Sequence, residues 1–83
     1  MNYDDMDALI GTVLKSYRKF KKLTIRQVGE MLDVDNSTVS RWETGENAIS
    51  AKLLLHYLDI LYCPYERFIS DLRKAERGEE ICQ

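Results

Sequence analysis

Four residues of this 83-residue chain, Asn36, Ser37, Ser40 and Arg41, fall on one side of a short helix if Val39 and Trp42 face the other. Their side chains are an amide, two hydroxyls and a guanidinium. All are hydrogen-bonding groups, and the amide and guanidinium are planar and can make two bonds at once. That is chemistry for recognising a polar edge rather than for breaking a bond. The rest of the chain offers no Cys/His pair at catalytic spacing, no paired carboxylates with a pocket between them and no phosphate-cradling glycine loop. His56 stands alone and reads as a packing or surface residue. No enzyme activity, metal or cofactor is therefore expected.

The stretch from Thr24 to Gly45 must position these four residues. Thr24 and Gln27 have the spacing of a capping box, in which two orphan amides are satisfied reciprocally. Ile25, Val28 and Leu32 then recur at helical steps. Asp33-Val34-Asp35 breaks the pattern, with Asp33 tolerable in a left-handed turn position and Asp35 a strong N-cap for a second helix. Val39 and Trp42 form the inward stripe of that helix, and Gly45 supplies its left-handed stop. Two short capped helices around a three-residue turn describe a helix-turn-helix. Gly29 inside the first helix costs about 1 kcal/mol relative to Ala. It is either a tolerated weak spot or a gap that lets the second helix approach, and the flanking caps favour the second reading.

An ordered set carries a family resemblance: Ile10-Gly11, Leu14, Arg18, Leu23-Thr24, Val28-Gly29, Leu32, Val34, Ser37-Thr38-Val39-Ser40, Glu43, Gly45 and the Leu54/Leu58/Leu61 run. From about Ile10 to Phe68 the chain resembles the lambda-repressor-like (XRE-type) helix-turn-helix domains. The family usually has Gln where Ile25 stands, Gly where Asp33 stands, and Ser or Thr where Asp35 stands. The resemblance implies an all-α, compact five-helix DNA-binding domain with the helix-turn-helix at helices 2 and 3. It also implies that Arg18 pairs with Glu43, tying helix 1 to the end of the recognition helix, and that Asn47 touches phosphate. Independently, a charge such as Arg18 turned towards the core needs a partner.

Length allows a single small domain, and composition supports a helical core. The expected domain is 1–72, followed by a charged extension at 73–83, partly helical or frayed. No basic leader with an apolar stretch precedes it, and no apolar run is long enough to span a bilayer. Cys63 and Cys82 make no metal or redox motif. Cys63 reads as a buried free thiol in a reduced, cytoplasmic setting.

A net charge of −2 counts against a nucleic-acid partner, but its distribution matters more. Lys15, Arg18, Lys19, Lys21, Lys22 and Arg26 follow one another with no acid between them, while the acids lie elsewhere. A basic edge on an acidic body favours one docking orientation. The bland alternative is a solvated face whose basic end complements the helix dipole.

Helix 1 has Met6, Leu9, Ile10, Val13, Leu14 and Tyr17 as its stripe and Asp4 or Asp5 as its cap. Ser50 caps helix 4, whose buried face is Leu54, Tyr57, Leu58 and Leu61; Leu53 and Leu55 make it apolar on more than one side. Pro64 suits the first turn of helix 5, with Tyr65, Phe68, Ile69 and Leu72 inward.

In a helix-turn-helix the second helix offers its N-terminal residues to base edges in the major groove, and the first crosses the backbone. Asn36, Ser37, Ser40 and Arg41 are thus the expected base contacts: Asn suits adenine and Arg suits guanine. Lys15, Lys19, Lys22, Arg26, Thr38 and Asn47, with backbone amides at the two helix starts, are the expected phosphate contacts. Gly29, Trp42, Arg18 and Glu43 are structural. One domain covers only a half-site, so a homodimer on a palindromic operator of double-stranded DNA is expected, as a repressor. By the resemblance, its interface is helix 5, the loop before it and exposed leucines of helix 4. The competing reading is a protein-binding module on the same scaffold, such as an antitoxin or inhibitor covering a protein partner. The acidic body and the Asp33 and Asp35 departures favour it.

Overall fold

The computed structural model describes residues 5–79, and these form five helices: α1 (Met6–Phe20), α2 (Ile25–Leu32), α3 (Asn36–Thr44), α4 (Ala51–Ile60) and α5 (Tyr65–Glu76). Asp4, offered above as a cap for helix 1, and Cys82 lie outside the described residues. No strand occurs among those described. The radius of gyration, 11.8 Å, matches the roughly 12 Å of a folded chain of this length.

Helix starts follow local chemistry in two cases and depart from it in two. Thr24 accepts from Gln27 N while Gln27 Oε1 accepts from Thr24 N, completing the capping box. Ser50 accepts from Leu53 N at 3.2 Å. Asp35 has the extended N-cap backbone, yet its carboxylate makes no cap hydrogen bond. Asp5 makes none either, and its backbone (φ −90°, ψ −6°) is helical rather than extended. Both therefore correct the expectation of strong aspartate caps. At α3 the backbone alone begins the helix, Asp35 O accepting from Thr38 N and Val39 N. α1 and α4 end alike, on left-handed non-glycine residues: Lys22 (φ 59°) and Tyr62 (φ 54°). In each, the next amide reaches back to the helix, Leu23 N to Arg18 O and Cys63 N to Leu58 O, which satisfies carbonyls the helix would otherwise leave unpaired.

The core is built from every helix: Val13, Leu14 and Tyr17 of α1, Val28 and Leu32 of α2, Val39 and Trp42 of α3, Tyr57 and Leu58 of α4 with Leu61 just beyond it, and Phe68 of α5. α1 lies against α3 and α5, and α2 against α3 and α4. α5 departs from the expected stripe. Phe68 is buried and Leu72 half-buried, but Tyr65 and Ile69 are 45% and 50% exposed. The inward place is taken instead by Asp71, buried and accepting from the Tyr17 hydroxyl. A helix that touches only α1 and α4 needs a thinner apolar stripe than a surrounded one. α5 also runs past residue 72 to Glu76. Cys63 is free and half-buried rather than buried, and burial pushes its thiol up.

Candidate nucleic-acid interface

The turn between α2 and α3 brings two helices together over a missing side chain. A Cβ on Gly29 would sit 2.8 Å from Val34 O and 3.3 Å from Asn36 Oδ1, so the turn and the start of α3 occupy the space a side chain would need. Asp33 adopts the left-handed conformation (φ 58°, ψ 48°) that reverses the chain. A polar depression lies along this turn, lined by Arg26, Glu30, Asp33, Asp35 and Asn36 with Gly29 and Val34. It places Arg26 and Asn36, a phosphate and a base candidate, beside one another.

α3 is divided sharply into two faces. Val39, Trp42 and Glu43 are buried. Asn36, Ser37 and Arg41 are exposed, and Ser40 and Thr38 are half-buried at the margins. The first amides of α3 are uncapped by any side chain, whereas in α2 the capping box already holds Gln27 N. Of the two helix starts expected to face phosphate, α3 is thus the better prepared.

The buried face is tied down by charge as well as by packing. Arg18 Nε donates to Glu43 Oε2 at 2.7 Å and its Nη2 to Oε1 at 3.0 Å, a bidentate pair, while Nη1 donates to Leu23 O at 2.8 Å. The hydrogen bonds to Glu43 hold the guanidinium above its already high usual value. Tyr57 adds a third member, donating to Glu43 Oε2 at 3.1 Å. Its burial, and the carboxylate beside it, push the phenol well above the ordinary tyrosine range. Tyr57 stood in the sequence as an apolar position, although a buried tyrosine hydroxyl usually needs a partner. Gly11 was likewise unassigned to any role. A Cβ there would meet the backbone carbonyls of Trp42 and Glu43, the latter at 2.7 Å. α1 therefore crosses the end of α3 at backbone contact.

The basic residues are distributed more loosely. Lys15, Lys19, Lys22, Arg26 and Asn47 are all exposed. Among the described residues, no hydrogen bond or ion pair ties Lys15, Lys19 or Lys22 to the α2–α3 face. Arg26 and Arg41 do have partners, Glu30 at 3.3 Å and Glu46 at 3.7 Å. Neither pair was anticipated, though Arg26 and Glu30 stand at the four-residue spacing that signals one on a helix. No group of His, Cys, Asp and Glu that could hold a metal is found among the described residues. None of the helices is long and apolar enough to cross a membrane.

With this helix pair in place, residues 14–67 also match the helix-turn-helix family in sequence. The chain belongs to the lambda-repressor-like helix-turn-helix family. Its fold is also that of the clp gene regulator ClgR from Corynebacterium glutamicum. One crystal structure of ClgR superposes with a TM-score of 0.80 at 23% identity, covering 84% of this chain and 74% of that one. A second gives 0.79 at 23% identity, covering 84% of this chain and 91% of ClgR. No curated protein sequence matches. Family and fold of this helix-turn-helix domain are those of DNA-binding regulators.

Proposed function

We propose that this helix-turn-helix chain is a sequence-specific transcriptional regulator, a repressor that inserts α3 into the major groove of a palindromic operator as a homodimer. The observation carrying this reading is the division of α3: Asn36, Ser37 and Arg41 stand in solvent while Val39, Trp42 and Glu43 fix the helix from behind. Asn36, Ser37, Ser40 and Arg41 then read bases, and Lys15, Lys19, Lys22, Arg26, Thr38 and Asn47 with the first amides of α3 engage phosphate. ClgR, described as a gene regulator, shares the fold. The domain spans 1–72, with 73–83 a charged C-terminal extension, and it acts in the cytoplasm.

Exposed apolar residues support the dimer. Leu55, Tyr62, Tyr65 and Ile69 are 42%, 88%, 45% and 50% exposed, all on α4, α5 and the turn between them. Tyr62 is held at positive φ, a conformation uncommon for a bulky side chain.

Selecting bound fragments from random duplex DNA tests the reading. A recurrent palindrome is expected, and Arg41→Ala should cost roughly 1–3 kcal/mol at one base pair of each half-site and relax preference there. A selection that enriches no sequence would overturn it. Glu30, Asp33, Asp35 and Glu46, exposed around the same face, favour the second reading, a protein-binding module such as an antitoxin or inhibitor. Affinity for duplex DNA that falls steeply with salt separates the regulator from that module.

A further inference from the structure

Arg41 has beside it a carboxylate that the chain itself supplies. Glu46 Oε2 lies 3.7 Å from Arg41 Nε, with both side chains half exposed or more. The loop after α3 sets this placement. Asn47 N and the Thr44 hydroxyl both donate to Arg41 O at 3.2 Å, and Glu46 N donates to Thr44 Oγ1 at 3.4 Å. The loop folds back onto the carbonyl of Arg41, and Glu46 arrives beside the same residue's guanidinium. The approach is on the Nε side, as an ion pair longer than a hydrogen bond, and no hydrogen bond engages either Nη group among the described residues.

We propose that Glu46 is a positioning and specificity-determining residue for Arg41, resting on the DNA-binding reading above. A guanidinium braced through Nε presents its two Nη donors end-on as a fork, which suits an edge with two adjacent acceptors such as guanine O6 and N7. The same carboxylate offsets the charge that draws an arginine to any phosphate. Glu46 thus lowers binding to generic DNA and preserves binding where a matched base meets the fork. Arg26 and Glu30, 3.3 Å apart on α2, provide the contrast: Arg26 is a phosphate candidate, so its carboxylate tempers all duplexes alike.

The test measures affinity of the full chain for the duplex enriched from random DNA and for a shuffled duplex of equal composition, across several salt concentrations. Glu46→Gln should tighten the shuffled duplex and lower the preference for the enriched one by about two- to fivefold, the scale of one solvated ion pair. The salt dependence should steepen by about one unit of slope. Glu30→Gln should tighten both duplexes by the same factor. In an Arg41→Ala background, Glu46→Gln should leave the preference unchanged. Equal shifts on both duplexes, or the same loss of preference without Arg41, would overturn the inference while leaving the DNA-binding reading intact. In the free chain, the Arg41 Nε–H resonance should move on Glu46→Gln. An unmoved resonance rejects the brace whatever the DNA result. If no sequence is enriched, the DNA-binding reading itself falls and takes this inference with it.

Discussion

Arg18 and Glu43 are opposite charges with side chains 9% and 4% exposed, and burial decides what each is worth. Two charges out of water repay their desolvation only with bidentate geometry and further hydrogen bonds. Leu23 O and the Tyr57 hydroxyl supply those here. Truncating one partner strands the other, so Glu43→Ala should lower unfolding free energy by roughly 3–5 kcal/mol in urea titrations. Arg18→Met combined with Glu43→Leu should cost less than the two single losses added together, because no buried charge is left alone. Gly11→Ala acts by volume instead. Its Cβ would strike the carbonyls closing α3, and overpacking of this kind costs about 1–3 kcal/mol, visible as a lowered melting temperature. Gly11 was legible only as part of a resemblance, since the crossing of two backbones leaves no local sign.

At the scale of elements, the helix pair was readable because its signals are local. The Thr24/Gln27 box, the Val28 and Leu32 steps and Gly45 each act within one turn of chain. α5 was readable as a helix but neither in its end nor in its orientation. Its periodicity fits two stripes, and only the neighbours choose between them. Asp71 meets Tyr17 on α1, with Arg67 at 3.8 Å, so this helix is pinned by polar atoms as well as by Phe68. Asp71→Ala removes the carboxylate that accepts from the Tyr17 hydroxyl, a loss of about 1–3 kcal/mol. Faster amide hydrogen exchange along α5 than along α3 should accompany it. The exposed edge of α4 and α5 yields another test. Tyr62→Gly removes a bulky residue from a left-handed position, so the melting temperature of the dilute chain should hold or rise. Self-association measured by sedimentation should weaken, whereas unchanged association would place the dimer contact elsewhere.

The whole molecule couples these pieces through two buried phenols. Burial, together with Asp71 for Tyr17 and Glu43 for Tyr57, raises both above the ordinary tyrosine value. A group whose folded value is raised contributes stability that is complete below its unfolded value and is lost as pH climbs past it. Stability from these two residues should therefore be intact up to about pH 10, where free tyrosine ionises, and fall beyond it. Urea midpoints measured from pH 8 to 11 would show the decline, and Tyr57→Phe should reduce its steepness. A midpoint unchanged across that range would mean that the phenols are not buried as described.

The all-helical architecture, the helix-turn-helix and the split of α3 into an inward Val39–Trp42 side and an outward polar side were legible in the order of residues. Helical period, capping spacing and turn residues act over a few positions and need no distant partner. Only the packing of the helices decided that Glu43, already expected to pair with Arg18, also receives Tyr57, that Asp71 rather than Ile69 faces α1, and that Arg41 lies beside Glu46. Those are meetings between residues whose proximity depends on how helices cross and loops fold back, and a hydrogen bond over 54 positions of chain, as between Tyr17 and Asp71, leaves no periodic trace.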